Sequence, residues 1–195
     1  MNYLSDGGIF VVQTLTGLIV LALNLRFLMQ VSRANYYNPI AQGFVKATNP
    51  LLRPLRRFIP GWGGIDGAAL VLAVIIQAIT FFLILVALNS SIPAINPLTL
   101  LSWAILNVLD LNVKIYFWSV IAVVVVSWIA PQSGHPAIQL VAQITEPVMR
   151  PVRNVMPSMG GLDLSPIIVF LILNVVSVVI DHMKVAAGMG SIVGM

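Results

Sequence analysis

The chain has 195 residues, of which 59% are hydrophobic and only 8% are charged, and its mean hydropathy is +1.00. Soluble domains carry roughly 25% charged residues, so this composition predicts a membrane protein. The chain has no cysteine, which excludes disulfides, thiolate metal sites and cysteine nucleophiles. The formal net charge is +4, and the positions of the basic residues bear on orientation, because topology follows the Lys/Arg asymmetry.

Four segments are long and apolar enough to cross a bilayer, which takes about 20 residues each. We therefore predict an all-α membrane fold with spans at about residues 9–31, 67–88, 113–130 and 164–180. The N-terminus lacks the basic region of a cleaved signal peptide and carries Asp6 instead, so we expect the first span to be retained.

Residues 93–113, between the second and third spans, are apolar but have polar residues along one side. This pattern predicts an amphipathic helix on the membrane surface or, alternatively, a long extension of the third span. Asp110 and Lys114 are spaced i,i+4, and we expect them to pair.

Basic residues are concentrated in the first and third loops, which lie on one side of the membrane when there are four spans. They are Arg33, Lys46, Arg53, Arg56, Arg57, Arg150 and Arg153. The other side holds only Lys114 and Lys184. The positive-inside rule therefore predicts cytoplasmic loops and both termini outside.

A shift of 97 residues aligns residues 39–66 with residues 136–163 without a gap. The identical pairs include Arg53/Arg150, Arg56/Arg153 and Asp66/Asp163. This predicts a tandem duplication of a helix–loop–helix unit, with parallel repeats because each unit holds two spans. The first repeat covers residues 1–92, the second follows the connecting segment at residues 114–181, and residues 182–195 form a flexible or interfacial tail.

Each repeat contains a short arginine-bearing segment, predicted as a helix at about residues 50–59 or 147–156. Pro50 and Pro147 suit a first helical position. The apolar residues that follow them recur at i, i+1, i+4, i+7 and i+8, on one helix face. We predict helices in the membrane plane, with the apolar face in the acyl boundary and the arginines among the headgroups.

A Gly-Gly pair follows each arginine segment, at residues 63–64 and 160–161, and then comes Asp66 or Asp163. The glycines are expected to form a tight turn into the bilayer. Each aspartate is predicted to cap the next span, where a carboxylate satisfies free N–H groups and complements the helix dipole. Pairing of each aspartate with the arginines of its own loop is a compatible alternative.

The doubled pattern, Arg-Pro-x-Arg followed by Gly-Gly-x-Asp, resembles the YggT family of small bacterial membrane proteins, related to the YlmG proteins of plastids and cyanobacteria. The second copy departs from it by having His135 for Asn38 and Asn154 for Arg57. The resemblance implies a plasma-membrane protein without an established catalytic activity. It also implies links to osmotic or potassium homeostasis, to cell-division genes and, in plastids, to cytochrome maturation and nucleoid organisation.

The arginines are the first candidate site, for anionic phospholipid or an acidic segment of a membrane protein partner. They are Arg53, Arg56, Arg57, Arg150 and Arg153. Each contributes about 1 kcal/mol near an anionic leaflet. The alternative is that they only set topology, with snorkelling side chains.

Gln77 and Asn174 are equivalent under the 97-residue shift, each 11 residues beyond its aspartate and therefore near the bilayer midplane. They are predicted to face protein, either coordinating a cation or joining the repeats by a hydrogen bond. Asn24 and Arg26 are expected to snorkel to the cytoplasmic surface. His135 and His182 are too sparse for a metal or haem site.

We expect no catalytic residues, no cofactor and no direct contact with nucleic acid. The leading hypothesis is a non-catalytic organiser or assembly factor of the bacterial plasma membrane, acting in osmotic stress or membrane-complex assembly, with a homo-oligomer as one option. The alternative hypothesis is a component of a small-cation transport system, specifically for potassium.

Overall fold

The computed structural model describes residues 3–59, 66–89, 96–130, 133–155 and 163–189. These residues form six α-helices and one 3₁₀ turn, without a strand. The helices are α1 (Tyr3–Val31), α2 (Pro39–Leu52), α3 (Gly67–Asn89), α4 (Pro97–Ile129), α5 (Pro136–Val155) and α6 (Ser165–Ala186), and the 3₁₀ turn is Leu55–Arg57. The predicted all-α class is confirmed. The two Gly-Gly turns lie outside the described residues.

Four of the described helices are long and apolar enough to cross a membrane: Gly7–Val31, Gly67–Leu88, Pro97–Ile129 and Ser165–Ala186. Their number agrees with the prediction, but the third is much longer than residues 113–130. Asn96 caps α4 by accepting a hydrogen bond from the Leu98 N–H, and Pro97 is at the start of the helix. Because nothing interrupts the helix before Ile129, the connecting segment extends the third span and is not a separate surface helix.

The two arginine segments begin 11 residues earlier than predicted. Asn38 caps α2 by accepting hydrogen bonds from the Ile40 and Ala41 N–H groups, and the His135 ring accepts one from the Ala137 N–H at the start of α5. Pro39 and Pro136 are therefore the first helical residues, whereas Pro50 and Pro147 lie inside the helices. The prediction failed because proline at a first helical position and proline inside a helix look alike in sequence.

The apolar residues of the two arginine segments are divided between the bundle and the surface. Part of each set packs against the chain's own helices, whereas Leu51, Phe58 and Val155 remain exposed, so the prediction that the whole apolar face meets acyl chains is corrected in part. Leu52 is completely buried in a cluster with Leu23 and alanines of α3. Met149 is buried with Val120 and Val169. Both segments are thus fixed to the bundle, while their arginines remain on the other side.

The helices form one connected bundle in which α4 is the central member. The helix α3 packs between α1 and α4, whereas α6 packs against α4 and α5. The helices α2 and α5 contact each other, and the Asn38 side chain donates a hydrogen bond to the Pro136 carbonyl over 2.7 Å.

The beginning of the predicted tail is ordered and packed. The helix α6 continues to Ala186, the Trp103 indole donates a hydrogen bond to the Ala187 carbonyl over 2.7 Å, and Met189 is buried beside Phe81. Residues 182–189 are therefore part of the bundle, contrary to the prediction. Residues 190–195 lie outside the described residues.

Candidate functional site

The first arginine segment carries a compact ion-pair network. The Arg56 Nε donates to the Asp66 Oδ2 over 3.0 Å, and its Nη2 donates to the same oxygen. The Nη1 donates to the Asn49 side-chain oxygen over 3.3 Å. The Asp66 side chain is only 9% exposed, so this carboxylate ties the arginine segment to the start of α3.

Arg26 completes this network from inside the bundle. Its side chain is 4% exposed, and its Nε lies 3.8 Å from the Asp66 Oδ2. Its Nη1 donates to the Thr48 Oγ1 over 2.7 Å and to the Val45 carbonyl over 3.1 Å. The expected snorkelling is therefore wrong: α2 and α3 close over the end of α1 and supply acceptors, so the guanidinium does not need to reach water.

The second arginine segment has a similar but exposed network. The Arg153 Nε donates to the Asp163 Oδ2 over 3.0 Å, and its Nη1 donates to the Glu146 Oε2 over 3.2 Å. The Asp163 side chain is 46% exposed. Burial opposes ionisation of Asp163, but hydrogen bonds from Ser165 and Arg153 outweigh it and hold the pKa of this carboxyl below its ordinary value.

The two aspartates differ in the roles that were predicted for them: Asp163 both caps a helix and pairs with an arginine, whereas the Asp66 carboxylate pairs with an arginine. The Asp163 Oδ1 accepts a hydrogen bond from the Ser165 N–H over 2.9 Å while its Oδ2 accepts from Arg153, so it does both. The Asp66 carboxylate accepts from Arg56. The Asp66 N–H donates to the Gln30 side chain over 2.8 Å, a contact that sequence reasoning missed because the residues are 36 positions apart.

The remaining basic residues of the two segments are free to meet a partner. Lys46, Arg53, Arg57 and Arg150 are exposed, and among the described residues they form no ion pair. Phe58 is 83% exposed beside the first group. The first segment therefore presents three free cations and an apolar side chain, whereas the second presents one cation.

The predicted pair of midplane amides does not meet. Gln77 is buried in α3, but Asn174 is exposed on α6 and its Nδ2 donates to the Phe170 carbonyl of its own helix, over 2.8 Å. The helices α3 and α6 each pack against α4. The expectation that both amides face protein is therefore wrong for Asn174.

A second buried polar group joins α4 to α6. The Asp110 Oδ2 accepts hydrogen bonds from the Lys184 Nζ at 2.5 Å and forms an ion pair with the Lys114 Nζ at 2.9 Å. Asp110 and Lys184 are 3% and 5% exposed. The predicted pairing of Asp110 with Lys114 is confirmed. The contact with Lys184 was missed because 74 residues separate the two groups.

Two asparagines link the halves of the bundle. The Asn112 Nδ2 donates to the Asn24 Oδ1 over 2.7 Å, and the Asn24 Nδ2 donates to the Val20 carbonyl over 2.8 Å. Asn24 is completely buried, so its expected position at the surface is wrong. In the described part of the chain, no group of three or more His, Cys, Asp or Glu residues could hold a metal ion.

Four helices of membrane-spanning length around a buried charged core define a multi-pass membrane protein. The sequence model of the CCB3/YggT family matches residues 6–87 and again residues 102–183. The chain belongs to the CCB3/YggT family, as the arginine motif predicted.

Relatives resemble the chain over nearly their full length. An uncharacterized protein of Pseudomonas aeruginosa is 46% identical over 95% of this chain and 94% of its own. An uncharacterized protein of Vibrio alginolyticus is 36% identical over 83% and 86%. The uncharacterized protein YggT of Escherichia coli K12 is 33% identical over 92% of each chain. No solved structure matches the chain.

Proposed function

We propose that this protein is a non-catalytic organiser of the bacterial plasma membrane that presents its two arginine segments to anionic phospholipid or to a membrane protein partner. The proposal rests on one observation: the two arginine segments are packed against the helix bundle and carry basic side chains that are not used in ion pairs in the described part of the chain. Lys46, Arg53, Arg57 and Arg150 are exposed and form no ion pair within the described residues. A role in osmotic stress or in membrane-complex assembly fits such a surface.

The proposed orientation places both arginine segments at the cytoplasmic face and both termini outside. It rests on the positive-inside rule and on a tandem duplication of one helix–loop–helix unit. The duplication is supported by the family match to two successive stretches of the chain. It is also supported by Leu52 and Met149, which are equivalent under the 97-residue shift and are both buried.

The strength of the proposed lipid contact differs between the segments. At about 1 kcal/mol per cation near an anionic leaflet, the three free cations of the first segment supply about 3 kcal/mol and Arg150 supplies about 1 kcal/mol. Arg56 and Arg153 are excluded from these sums because Asp66 and Asp163 already neutralise them. Phe58 strengthens the first segment, since exposed aromatic side chains are enriched at membrane interfaces.

Orientation is tested by labelling single cysteines, which the cysteine-free chain allows without background. In intact cells, we expect Arg57→Cys and Arg150→Cys to resist a membrane-impermeant thiol reagent and to react in inverted vesicles. Ser5→Cys, near the N-terminus, is the matched control and should react in intact cells. Labelling of positions 57 and 150 from opposite sides would contradict both the orientation and the parallel duplication.

Lipid contact is tested by extracting the protein into polymer nanodiscs and measuring the ratio of phosphatidylglycerol to phosphatidylethanolamine around it. We expect enrichment of phosphatidylglycerol over the bulk membrane, reduced by Arg53→Gln with Arg57→Gln and reduced less by Arg150→Gln. Gln13→Asn, a neutral change at an exposed position, is the control. Unchanged phosphatidylglycerol enrichment in the arginine variants would contradict the lipid contact and would indicate that these arginines only set the membrane topology.

A potassium flux assay with the purified protein in liposomes distinguishes the organiser role from cation transport. We expect proteoliposomes to show no potassium flux beyond that of empty liposomes. Potassium flux that is abolished by Gln77→Leu with Asn174→Leu would contradict the organiser role and favour the transport alternative.

A further inference from the structure

The helix α6 has one buried side and one exposed side. Val169 and Leu173 are buried where α6 packs against α4 and α5. At about 100° per residue, a stripe of exposed side chains lies nearly opposite to them. It consists of Ile167, Leu171, Asn174 and Val178, at successive spacings of four, three and four residues. We refer to these residues as the α6 stripe.

The spacing of the α6 stripe is typical of a helix that packs along a second, parallel helix. Apolar residues at alternating intervals of four and three form the seam of a left-handed coiled coil, and most helix pairs in membranes cross with this geometry. Two copies of one membrane protein insert in the same orientation. Their α6 helices can therefore meet as parallel partners about a two-fold axis along the membrane normal, where each residue faces its own counterpart.

Asn174 distinguishes the α6 stripe from a surface that meets only lipid tails. It follows Ser165 by nine residues, or about 14 Å, and so lies near the middle of the candidate span Ser165–Ala186. Its amide donates to the Phe170 carbonyl, whereas a side-chain amide can form up to about four hydrogen bonds. Because the hydrocarbon core holds no water to supply the others, a protein partner is favoured.

The chemistry of Asn174 identifies a second copy of the chain as that partner. An amide is self-complementary, since its oxygen accepts hydrogen bonds and its NH₂ group donates them. On the two-fold axis each Asn174 amide can donate to the other, while the apolar residues of the α6 stripe pack on both sides of this pair. Gln77, which is equivalent under the 97-residue shift, is buried within the chain, so the dimer would shield both midplane amides from lipid.

The charged residue beyond the α6 stripe does not oppose this contact. Asp181 lies on the same side of α6, three residues after Val178 and five before the end of the helix at Ala186. Its Oδ1 is 3.5 Å from the Lys184 Nζ, so its charge is compensated within the chain. The contact therefore ends at Val178 and leaves Asp181 at the membrane surface.

We propose that the protein forms a parallel homodimer through the α6 stripe, with a reciprocal hydrogen bond between the two Asn174 amides near the bilayer midplane. The apolar seam aligns the two helices, and the amides fix their register, as a single polar residue does in a coiled coil. The proposal rests on the membrane placement of α6 and not on the organiser role.

Disulfide formation in native membranes tests the geometry, because the chain has no cysteine of its own. Under oxidation with copper phenanthroline, we expect Leu171→Cys and Val178→Cys each to give a covalent dimer. Val179→Cys is the matched control. Its side chain is 52% exposed against 55% for Val178 and lies at the same depth, but it points about 100° away and should remain monomeric.

Removal of the amide tests the hydrogen bond. Energy transfer between labelled copies, diluted in liposomes of phosphatidylethanolamine and phosphatidylglycerol, measures the dissociation constant of the dimer. We expect Asn174→Val to weaken the dimer about tenfold, a ratio typical of interhelical amide hydrogen bonds in model membrane peptides. Asn174→Gln keeps an amide and should retain the dimer. Gln13→Leu removes an exposed amide from α1 and should leave the dissociation constant unchanged.

Three results would overturn the proposal. They are equal disulfide yields for Val178→Cys and Val179→Cys, a wild-type protein that stays monomeric in liposomes, and an unchanged dissociation constant in Asn174→Val. The dimer should persist in Arg53→Gln with Arg57→Gln, and phosphatidylglycerol enrichment should persist in Asn174→Val. Failure of the dimer and failure of the organiser proposal are therefore distinguishable.

Discussion

The two halves of the molecule carry the same arginine–aspartate pair in different surroundings. In the first half, Asp66 is 9% exposed and is reached by Arg26 from within the bundle as well as by Arg56. In the second half, Asp163 is 46% exposed and Arg153 is shared with Glu146. The halves differ at the position of Arg26, because Val123 stands there in the second half under the 97-residue shift.

This comparison shows how one motif acquires two roles. A buried ion pair strongly constrains its neighbours, since loss of one partner leaves an uncompensated charge. An exposed pair contributes little to stability. We therefore expect the first network to hold α1, α2 and α3 together, and the second to leave its segment freer to adjust to a partner.

The largest effect is expected from Arg26→Leu. It removes the donor to Thr48 and leaves Arg56 as the remaining cation at the buried Asp66, so it should lower the free energy of unfolding by about 3 kcal/mol. Arg153→Leu is the matched change in the second half and should cost under about 1 kcal/mol. Thermal and denaturant unfolding in detergent micelles measures the loss of unfolding free energy in each variant. Equal losses in Arg26→Leu and Arg153→Leu would contradict the proposed difference between the two halves.

Truncation of the buried apolar side chains Leu52 and Met149 should lower the free energy of unfolding by similar amounts in the two halves. Leu52→Ala and Met149→Ala each open a cavity beneath an arginine segment, because both side chains are fully packed. We expect each to lower the free energy of unfolding by about 2–5 kcal/mol. Arg150→Ala, next to Met149 but exposed, is the control. A loss confined to one half would show that only that segment is fixed to the bundle.

A smaller difference is expected between the aspartates. Asp66→Asn keeps the shape but removes the charge that Arg26 and Arg56 share, which should cost about 2 kcal/mol. Asp163→Asn should cost under about 1 kcal/mol, because solvent screens this pair. A double-mutant cycle should give a larger coupling for Arg56 with Asp66 than for Arg153 with Asp163, and the reverse order would contradict the structure.

The smallest effect concerns pH. The pKa of Asp163 is held below its ordinary value, so its contribution to stability is complete above the pKa of the unfolded chain, about 3.9, and is lost as the pH falls through the folded-state pKa. Unfolding measured between pH 7 and pH 3 should be less sensitive to acid in Asp163→Asn than in the wild type. An identical pH profile would indicate that Ser165 and Arg153 do not stabilise the ionised carboxylate.

Features that depend on local composition and spacing could be predicted from the amino-acid sequence. Four apolar segments of sufficient length predicted four candidate spans, and the doubled arginine motif predicted the family. The i,i+4 spacing of Asp110 and Lys114 predicted their pairing. These features are readable because hydrophobic length and helical periodicity are properties of neighbouring residues.

The burial of polar side chains and the identity of their partners could not be predicted and became visible in the packing of the helices. Arg26 and Asn24 looked like surface residues at the end of a span, yet α2, α3 and α4 cover them. Gln77 and Asn174 occupy equivalent positions, but Gln77 is buried and Asn174 is not. The physical reason is that burial depends on which helices pack together, and those contacts join residues that are tens of positions apart in the chain.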